Sequence, residues 1–399
     1  MFDPKSPIRA NILGLEPYRC ARDDFKEGVL LDANENTLGP ALVGPTEEEE
    51  LLALNRYPDP HQSELKQQIV DFRNANPNAA LDSEETEDLK LTPANLVLGV
   101  GSDESIDMLI RCCCQPAKEK ILICPPTYGM YLICAIVNDV EVVKVPLLAP
   151  SFQLDVQAVI EKVRVDPLIK LLYLTSPGNP TGKLLDVKDV IDVVEQTLKF
   201  WKGYVIVDEA YIDFTEIKDG KGESTATLVN KYQNLVTLQT LSKSFGLAGI
   251  RLGVTFANET LSKYLNSMKY PYNISSLTSN VAIRATGEGL NQMKKFVDNI
   301  VTQRAVVLDE LTKTDGIGRN LGGLDLNFLL LEILDKHGNP SNAVAQELYT
   351  RLAVENKVVV RFRGKELNCE GCLRMTIGTA EENAQLVRVI QQVLPELRK

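Results

Sequence analysis

Lys243 lies in Leu241-Ser242-Lys243-Ser244-Phe245-Gly246, directly after the apolar run Leu235-Val236-Thr237-Leu238, and Arg251 follows eight residues later. A lysine held against a strand end loses hydration, which lowers its pKa and frees its amine to attack a carbonyl. Ser242 and Arg251 add a hydroxyl and a fork of guanidinium donors, groups that suit a phosphate. An aldehyde and a phosphate carried by one cofactor describe pyridoxal phosphate. Taken alone, Lys243 reads as a surface lysine and Arg251 as a paired surface arginine. The other polar residues of the chain decide between these readings.

Asp208 ends the run Tyr204-Val205-Ile206-Val207, with Tyr211 three residues on. A carboxylate at a buried strand end is costly unless it meets a cation or a donor. A protonated pyridine nitrogen is such a cation, and the charged ring then serves as the electron sink that carbanion chemistry needs. Tyr211 and the amide of Asn179, in Ser176-Pro177-Gly178-Asn179-Pro180-Thr181-Gly182, suit the ring's phenolic oxygen, and Tyr128 suits its face. In Gly99-Val100-Gly101-Ser102-Asp103-Glu104, Ser102 or Asp103 suits a helix N-cap, so that free backbone N–H groups converge on an anion. Singly, Asp208 reads as a capping or ion-paired carboxylate and Asn179 as a turn residue before proline. Together they are the parts of one cofactor site.

The elements that must position these residues alternate. Short β-type runs at 95–100, 120–124, 140–145, 169–174 and 204–207 are separated by helical patterns after 102 and near 155–165 and 186–199. Such alternation predicts an α/β fold, a parallel sheet covered by helices on both faces, with ligands gathered at the carboxyl ends of the strands. Ser102, Tyr128, Asn179, Asp208, Tyr211 and Lys243 each fall just past a strand. Residues 1–56, broken by five prolines, read as an extended arm, and the polar stretch near 76–92 as a surface loop. A long amphipathic helix over about 288–312 leads into an α+β remainder. The expected division is a large domain over 57–290, with 1–56 and 291–399 forming the arm and a small C-terminal domain.

Composition narrows the function classes. The 399 residues are 44% hydrophobic and 24% charged, as in an ordinary globular chain. A net charge of -11 opposes nucleic acid or an anionic membrane as partner, so a small anionic substrate needs local arginines. Two histidines leave little for a histidine base or a His-rich metal site. Cys369-Glu370-Gly371-Cys372 lacks a second ligand pair for zinc, and Cys112-Cys113-Cys114 on a helix cannot aim three thiols at one ion; no metal is expected. Eight cysteines without a secretory signal suggest thiols in the cytoplasm.

These motifs resemble those of fold-type I PLP-dependent aminotransferases, and within them the histidinol-phosphate aminotransferase family. The resemblance is carried by Pro17-Tyr18, Asp32-Ala33-Asn34-Glu35-Asn36, Arg56-Tyr57-Pro58-Asp59, Gly101-Ser102-Asp103-Glu104 and Pro126-Thr127-Tyr128-Gly129-Met130-Tyr131. Asn179-Pro180-Thr181-Gly182, Val207-Asp208-Glu209-Ala210-Tyr211, Leu241-Ser242-Lys243, the run to Arg251 and Leu373-Arg374-Met375-Thr376-Ile377-Gly378-Thr379 extend it over nearly the whole chain. It implies a large, mostly parallel sheet between helices plus a smaller α+β domain. It also implies amino transfer between L-histidinol phosphate and 2-oxoglutarate or L-glutamate, on pyridoxal phosphate. By the same resemblance Lys243 joins the cofactor, and Asn179, Asp208 and Tyr211 contact its ring, with Tyr128 on the ring face. Gly101, Ser102, Asp103, Ser242 and Arg251 surround its phosphate, and Tyr57 reaches the partner subunit's cofactor in a homodimer. Arg361 and Arg374, with Tyr18 and Asn34, bind the substrate. The rival readings are an aromatic or broad-range aminotransferase, a decarboxylase of a phosphorylated amino acid, and a non-catalytic binding protein of the same fold.

Overall fold

The computed structural model describes residues 2–19, 23, 41–44, 46–81, 83–217 and 221–398. Helix α1 (Glu47–Leu51), α2 (Ser63–Asn74) and α3 (Ser83–Asp88) precede β1 (Leu96–Val100), α4 (Gly101–Cys113), β2 (Lys120–Ile123), α5 (Met130–Val137) and β3 (Glu141–Lys144). Then come α6 (Val156–Val165), β4 (Ile169–Thr175), α7 (Val187–Leu198), β5 (Tyr204–Asp208), β6 (Leu235–Thr240) and β7 (Leu252–Ala257). Next are α8 (Glu259–Met268), α9 (Ser276–Thr286), α10 (Leu290–Thr312), β8 (Ile317–Asn320) and β9 (Phe328–Ile333). The chain ends through α11 (Asn342–Val354), β10 (Arg361–Phe362), β11 (Cys372–Thr376) and α12 (Ala380–Leu397). No helix among the described residues is long and apolar enough to cross a membrane.

The first seven strands form one sheet in the order β1-β7-β6-β5-β4-β2-β3. Its strands are apolar almost throughout because each face meets helices, and strand periodicity sorts successive residues between them. Leu122, Leu172, Leu174, Val205 and Val207 enter one core, beneath α2, α6 and α7. Their neighbours Ile121, Leu171, Tyr173, Tyr204 and Ile206 enter the other, beneath α4, α5 and α8. Ile8 and Ile12 of the N-terminal segment join that second core.

One strand breaks the parallel pattern. β7 pairs antiparallel with both β6 and β1. Only residues 241–251 connect β6 to β7, with no α-helix among them, and a parallel return needs a crossover of a dozen or more residues. The segment carrying Ser242, Lys243 and Arg251 is therefore a tight return at the end of the sheet.

The smaller sheet is antiparallel, in the order β10-β11-β9-β8. Leu329, Leu331 and Ile333 face a third core built with α11 and α12, whereas Phe328 and Leu330 belong to the first core. Helix α10 likewise sends Met293 and Val297 into the first core and Val307 and Leu311 into the third.

Two local expectations are corrected. The stretch 76–92 lies at the surface but is not a plain loop: it carries α3, and Asn78, Leu81 and Leu91 are buried. Asn78 anchors it, its N–H donating to Thr227 Oγ1 at 2.9 Å and its Nδ2 to the Ser224 carbonyl at 2.9 Å. These contacts span almost 150 residues and have no local pattern. The N-cap of α4 is Val100, not Ser102 or Asp103, and it has no side-chain capping bond. Gly101, at φ +77, starts the helix so sharply that Ser102 and Asp103 fall in its first turn.

Candidate active site

A cavity of about 380 Å³ opens at the carboxyl ends of the large sheet. Ser102, Asp103, Tyr128, Asn179, Asp208, Tyr211, Ser242, Lys243 and Arg251 line it, and Arg361 and Arg374 reach it from the smaller sheet. Residues scattered over more than 270 sequence positions thus meet in one space.

Asp208, the last residue of β5, is 2% exposed. Tyr131 donates its hydroxyl to Oδ2 at 2.7 Å, and the Ala210 N–H donates to Oδ1 at 3.2 Å. Burial pushes the carboxyl up to about 6, against the pull of these two donors. Both donors are neutral, so Asp208 is a buried acid suited to a cationic partner. Lys243 is half-buried, with Nζ 5.5 Å from the centroid of the Tyr211 ring. Its pKa is lowered chiefly by burial and then by the Arg374 charge. Tyr128 donates to Asp103 Oδ1 at 3.1 Å and meets Tyr131 edge to face.

Arg251 adopts a left-handed backbone, φ 55 and ψ 56, which turns its guanidinium back over the start of α4. There Nη2 lies 3.5 Å from Asp103 Oδ2. A Cβ on Gly101 would stand 2.5 Å from that Nη2, so any larger residue there would displace the guanidinium from this position. Ser242 is held by Thr240, whose hydroxyl bonds its Oγ at 2.9 Å and accepts its N–H at 3.1 Å. Helix N-terminus, serine hydroxyl and guanidinium make a phosphate cradle at one end of the cavity. With a carboxylate for a ring nitrogen and an amine for an aldehyde, the donor set fits pyridoxal phosphate.

The second strand pair supplies cations. Arg361 and Arg374 are cross-strand neighbours of β10 and β11. Leu373 and Met375 point into the third core, and strand alternation turns Arg374 the opposite way, towards the cavity. There Nη1 donates to Asn179 Oδ1 at 2.7 Å, and the guanidinium lies 5.1 Å from the Phe328 ring centroid.

Tyr18 and Tyr57 do not join this cavity. Tyr57 stacks on Tyr272 with centroids 4.5 Å apart, and the Tyr18 hydroxyl lies 3.1 Å from that of Tyr272. Both are substantially exposed. Asn34 lies outside the described residues. The thiols of Cys112, Cys113, Cys114, Cys369 and Cys372 are free and buried. Among the described residues no cluster of His, Cys, Asp and Glu could hold a metal ion.

Several contributors were given no role by the sequence. Arg363 and Thr175 line the cavity, and Tyr131 bonds Asp208. Behind Lys243, the Ser244 hydroxyl donates to Asp213 Oδ2, and Arg73 Nη1 donates to Asp213 Oδ1 at 2.7 Å. Arg73 Nε continues to Gln239, whose amide donates to buried Glu209 at 2.8 Å. This chain ties the turn after Lys243 to the loop after Tyr211. The acidic spacing Asp208, Glu209, Asp213 does not by itself reveal which charge meets which partner.

Residues 25–390 match the family model described as aminotransferase class I and II. The histidinol-phosphate aminotransferase of Candida maltosa is 63% identical over 399 residues, covering 100% of both chains. The crystal structure of the histidinol-phosphate aminotransferase from Clostridium acetobutylicum superposes with a TM-score of 0.73 at 25% identity, over 88% of this chain and 93% of that one. The Sinorhizobium meliloti histidinol-phosphate aminotransferase, solved in complex with pyridoxal-5'-phosphate, gives 0.72 at 20% identity, over 92% and 90%.

Proposed function

The chain belongs to the class I and II aminotransferases, and from that premise we propose that it exchanges an amino group between L-histidinol phosphate and 2-oxoglutarate. The products are imidazole-acetol phosphate and L-glutamate, a step of L-histidine biosynthesis. The observation that carries this reading is the meeting, in one cavity, of Lys243, Asp208 and the paired arginines Arg361 and Arg374.

Pyridoxal phosphate, when bound, supplies a ring that takes up the electron pair of a breaking Cα–H bond. Lys243 Nζ would hold the cofactor through its aldehyde and would be the amine that moves a proton at the substrate carbon. Burial and the nearby Arg374 charge favour the neutral amine that this duty requires. Asp208 holds a positive charge on the ring nitrogen, oriented by Tyr131 and the Ala210 N–H. Tyr211 and Asn179 serve the ring oxygen, and Tyr128 covers the ring. Ser102, Ser242 and Arg251 grip the cofactor's phosphate, with Gly101 and Asp103 setting the arginine's position. Arg361 and Arg374 receive the substrate phosphate in one half-reaction and a carboxylate in the other, with Asn34 as a further contact.

The reading includes a cytoplasmic homodimer in which Tyr57 reaches the partner subunit's cofactor, with Tyr18 as a further contact of the substrate's phosphate. The exposed place of Tyr57 off this chain's own cavity, stacked on Tyr272, supports the first of these roles. Residues 57–290 form the cofactor-binding body of this reading, and 1–56 with 291–399 the arm and the substrate-side body. Addition of L-glutamate to the purified holoprotein should convert its visible absorbance to a shorter-wavelength band, and L-histidinol phosphate should do the same. An unchanged spectrum with both would end the aminotransferase reading; response to phenylalanine but not to the phosphate ester would replace the substrate.

A further inference from the structure

Arg363 also enters the cavity, two residues beyond Arg361 and on the same side of the chain. Its position is built. Its N–H donates to the Cys372 carbonyl at 2.8 Å, and its carbonyl accepts from the Glu366 N–H at 2.9 Å. Asn342 pins the following turn, donating to the Gly364 carbonyl at 3.0 Å and accepting the Gly371 N–H at 2.8 Å. The backbone that carries Arg363 is thus tied to both β11 and α11.

The guanidinium itself is under-satisfied. Among the described residues its one ion pair, to Glu366, is long at 3.5 Å, and its buried Nε has no hydrogen-bond partner. Arg374 Nε is buried without a partner as well. Burial first, and then the charges of Arg363 and Arg361, lower the affinity of Arg374 for its own proton. Three like charges thus line one side of the cavity, two of them with an unpartnered Nε. A monoanion neutralises one of them, whereas a phosphate monoester brings about two negative charges and three acceptor oxygens at neutral pH.

We infer that Arg363 is the specificity-determining residue that makes this site prefer a dianionic phosphate ester over a carboxylate side chain. The inference rests on the proposed reaction and deepens it: Arg361 and Arg374 serve both substrates, and Arg363 serves the phosphate. The second charge of a phosphate monoester is gained near pH 6, so the preference follows that ionisation.

The test compares half-reactions of wild type, Arg363→Gln and Arg363→Lys holoenzymes, followed by the cofactor's absorbance with L-histidinol phosphate, L-histidinol or L-glutamate. Arg363→Gln should weaken the apparent affinity for the phosphate ester roughly ten- to hundredfold, the loss of one charge-assisted contact, with little change in the limiting rate. Affinity for L-glutamate should stay within about twofold, and Arg363→Lys should recover part of the loss. In wild type the preference for L-histidinol phosphate over L-histidinol should rise between pH 5 and 7, and in Arg363→Gln that rise should flatten, which mere local disorder would not produce. Equal weakening for L-glutamate and the phosphate ester, or an unchanged pH rise, overturns the inference. Should Arg363→Gln fail to fold, the charge-retaining Arg363→Lys decides: a glutamate response like wild type with weakened phosphate-ester affinity supports the inference, and equal effects on both sink it. Wild type that ignores L-histidinol phosphate removes the reading beneath it, a result distinct from wild type that accepts it while the variant keeps the same preference.

Discussion

At the strand-end side of the cavity one carboxylate, Asp208, is enclosed by neutral donors, and the turn beside Lys243 is braced by the Ser244, Asp213 and Arg73 chain. At the small-sheet side Arg361, Arg363 and Arg374 crowd like charges together, and two of them keep unbonded Nε atoms. The first arrangement suits a group that stays bound through every turnover, because each contact can be fixed in advance. The second suits anions that must come and go, because it leaves donors unspent until an anion arrives. Resident and visiting ligands are thus met by different degrees of prior satisfaction, on two different sheets.

Four changes would break or sharpen that contrast. Lys243→Ala should have the largest effect, lowering turnover by about a thousandfold or more while leaving the cofactor weakly bound. Single-turnover absorbance changes with L-glutamate measure it, and parent-like activity would overturn the role given to the lysine.

Next in size is the pH response of the cofactor-free protein. The folded Asp208 value of about 6 exceeds the ordinary 3.8, so the folded chain binds this proton more tightly than the unfolded chain. Its contribution is complete below about pH 4 and lost as pH rises through 6, a swing of about 3 kcal/mol for this one group. Urea midpoints of apoprotein and Asp208→Asn between pH 4 and 7 should converge at the acid end and part at the neutral end, the asparagine variant standing higher. Parallel curves would remove the buried acid from the account. The holoprotein should lack this part of the fall, since a ring cation stabilises the ionised form.

Arg374→Ala should weaken both L-histidinol phosphate and L-glutamate roughly tenfold or more, an effect of about 2 kcal/mol, without a comparable fall in the limiting rate. Loss for only one of the two would place Arg374 with Arg363 rather than with the shared pair. The smallest change is Tyr131→Phe, which removes one donor to Asp208 and raises that carboxyl further, at a cost of about 1 kcal/mol in cofactor affinity. Cofactor titration of the apoprotein reads it; unaltered affinity would mean that Ala210 and the ring suffice.

What could be read before any coordinates is a matter of range. The sheet strands were legible because their two faces both meet helices, so each shows as a short apolar run. The residues just past those runs were legible because a strand end and its next turn are neighbours in sequence. Arg361 and Arg374 were marked by resemblance, and the cross-strand register then placed them side by side. The reversed direction of β7 was not expected from alternation alone, although the short connection before it required the reversal. Asn78 in a polar stretch looked exposed because its partners Ser224 and Thr227 are close only after folding.

The primary structure by itself determined the alternation of strand and helix, the lysine at a strand end and the phosphate-binding turn, since each depends on residues within a few positions of one another. Tertiary structure alone decided that Tyr131 would hold Asp208 across 77 positions, that Arg73 would reach Asp213 across 140, and that Arg363 would share a cavity with Lys243. Burial makes unpaired polar groups expensive, so these distant residues are obliged to find partners. Only the packed chain specifies which ones come within reach.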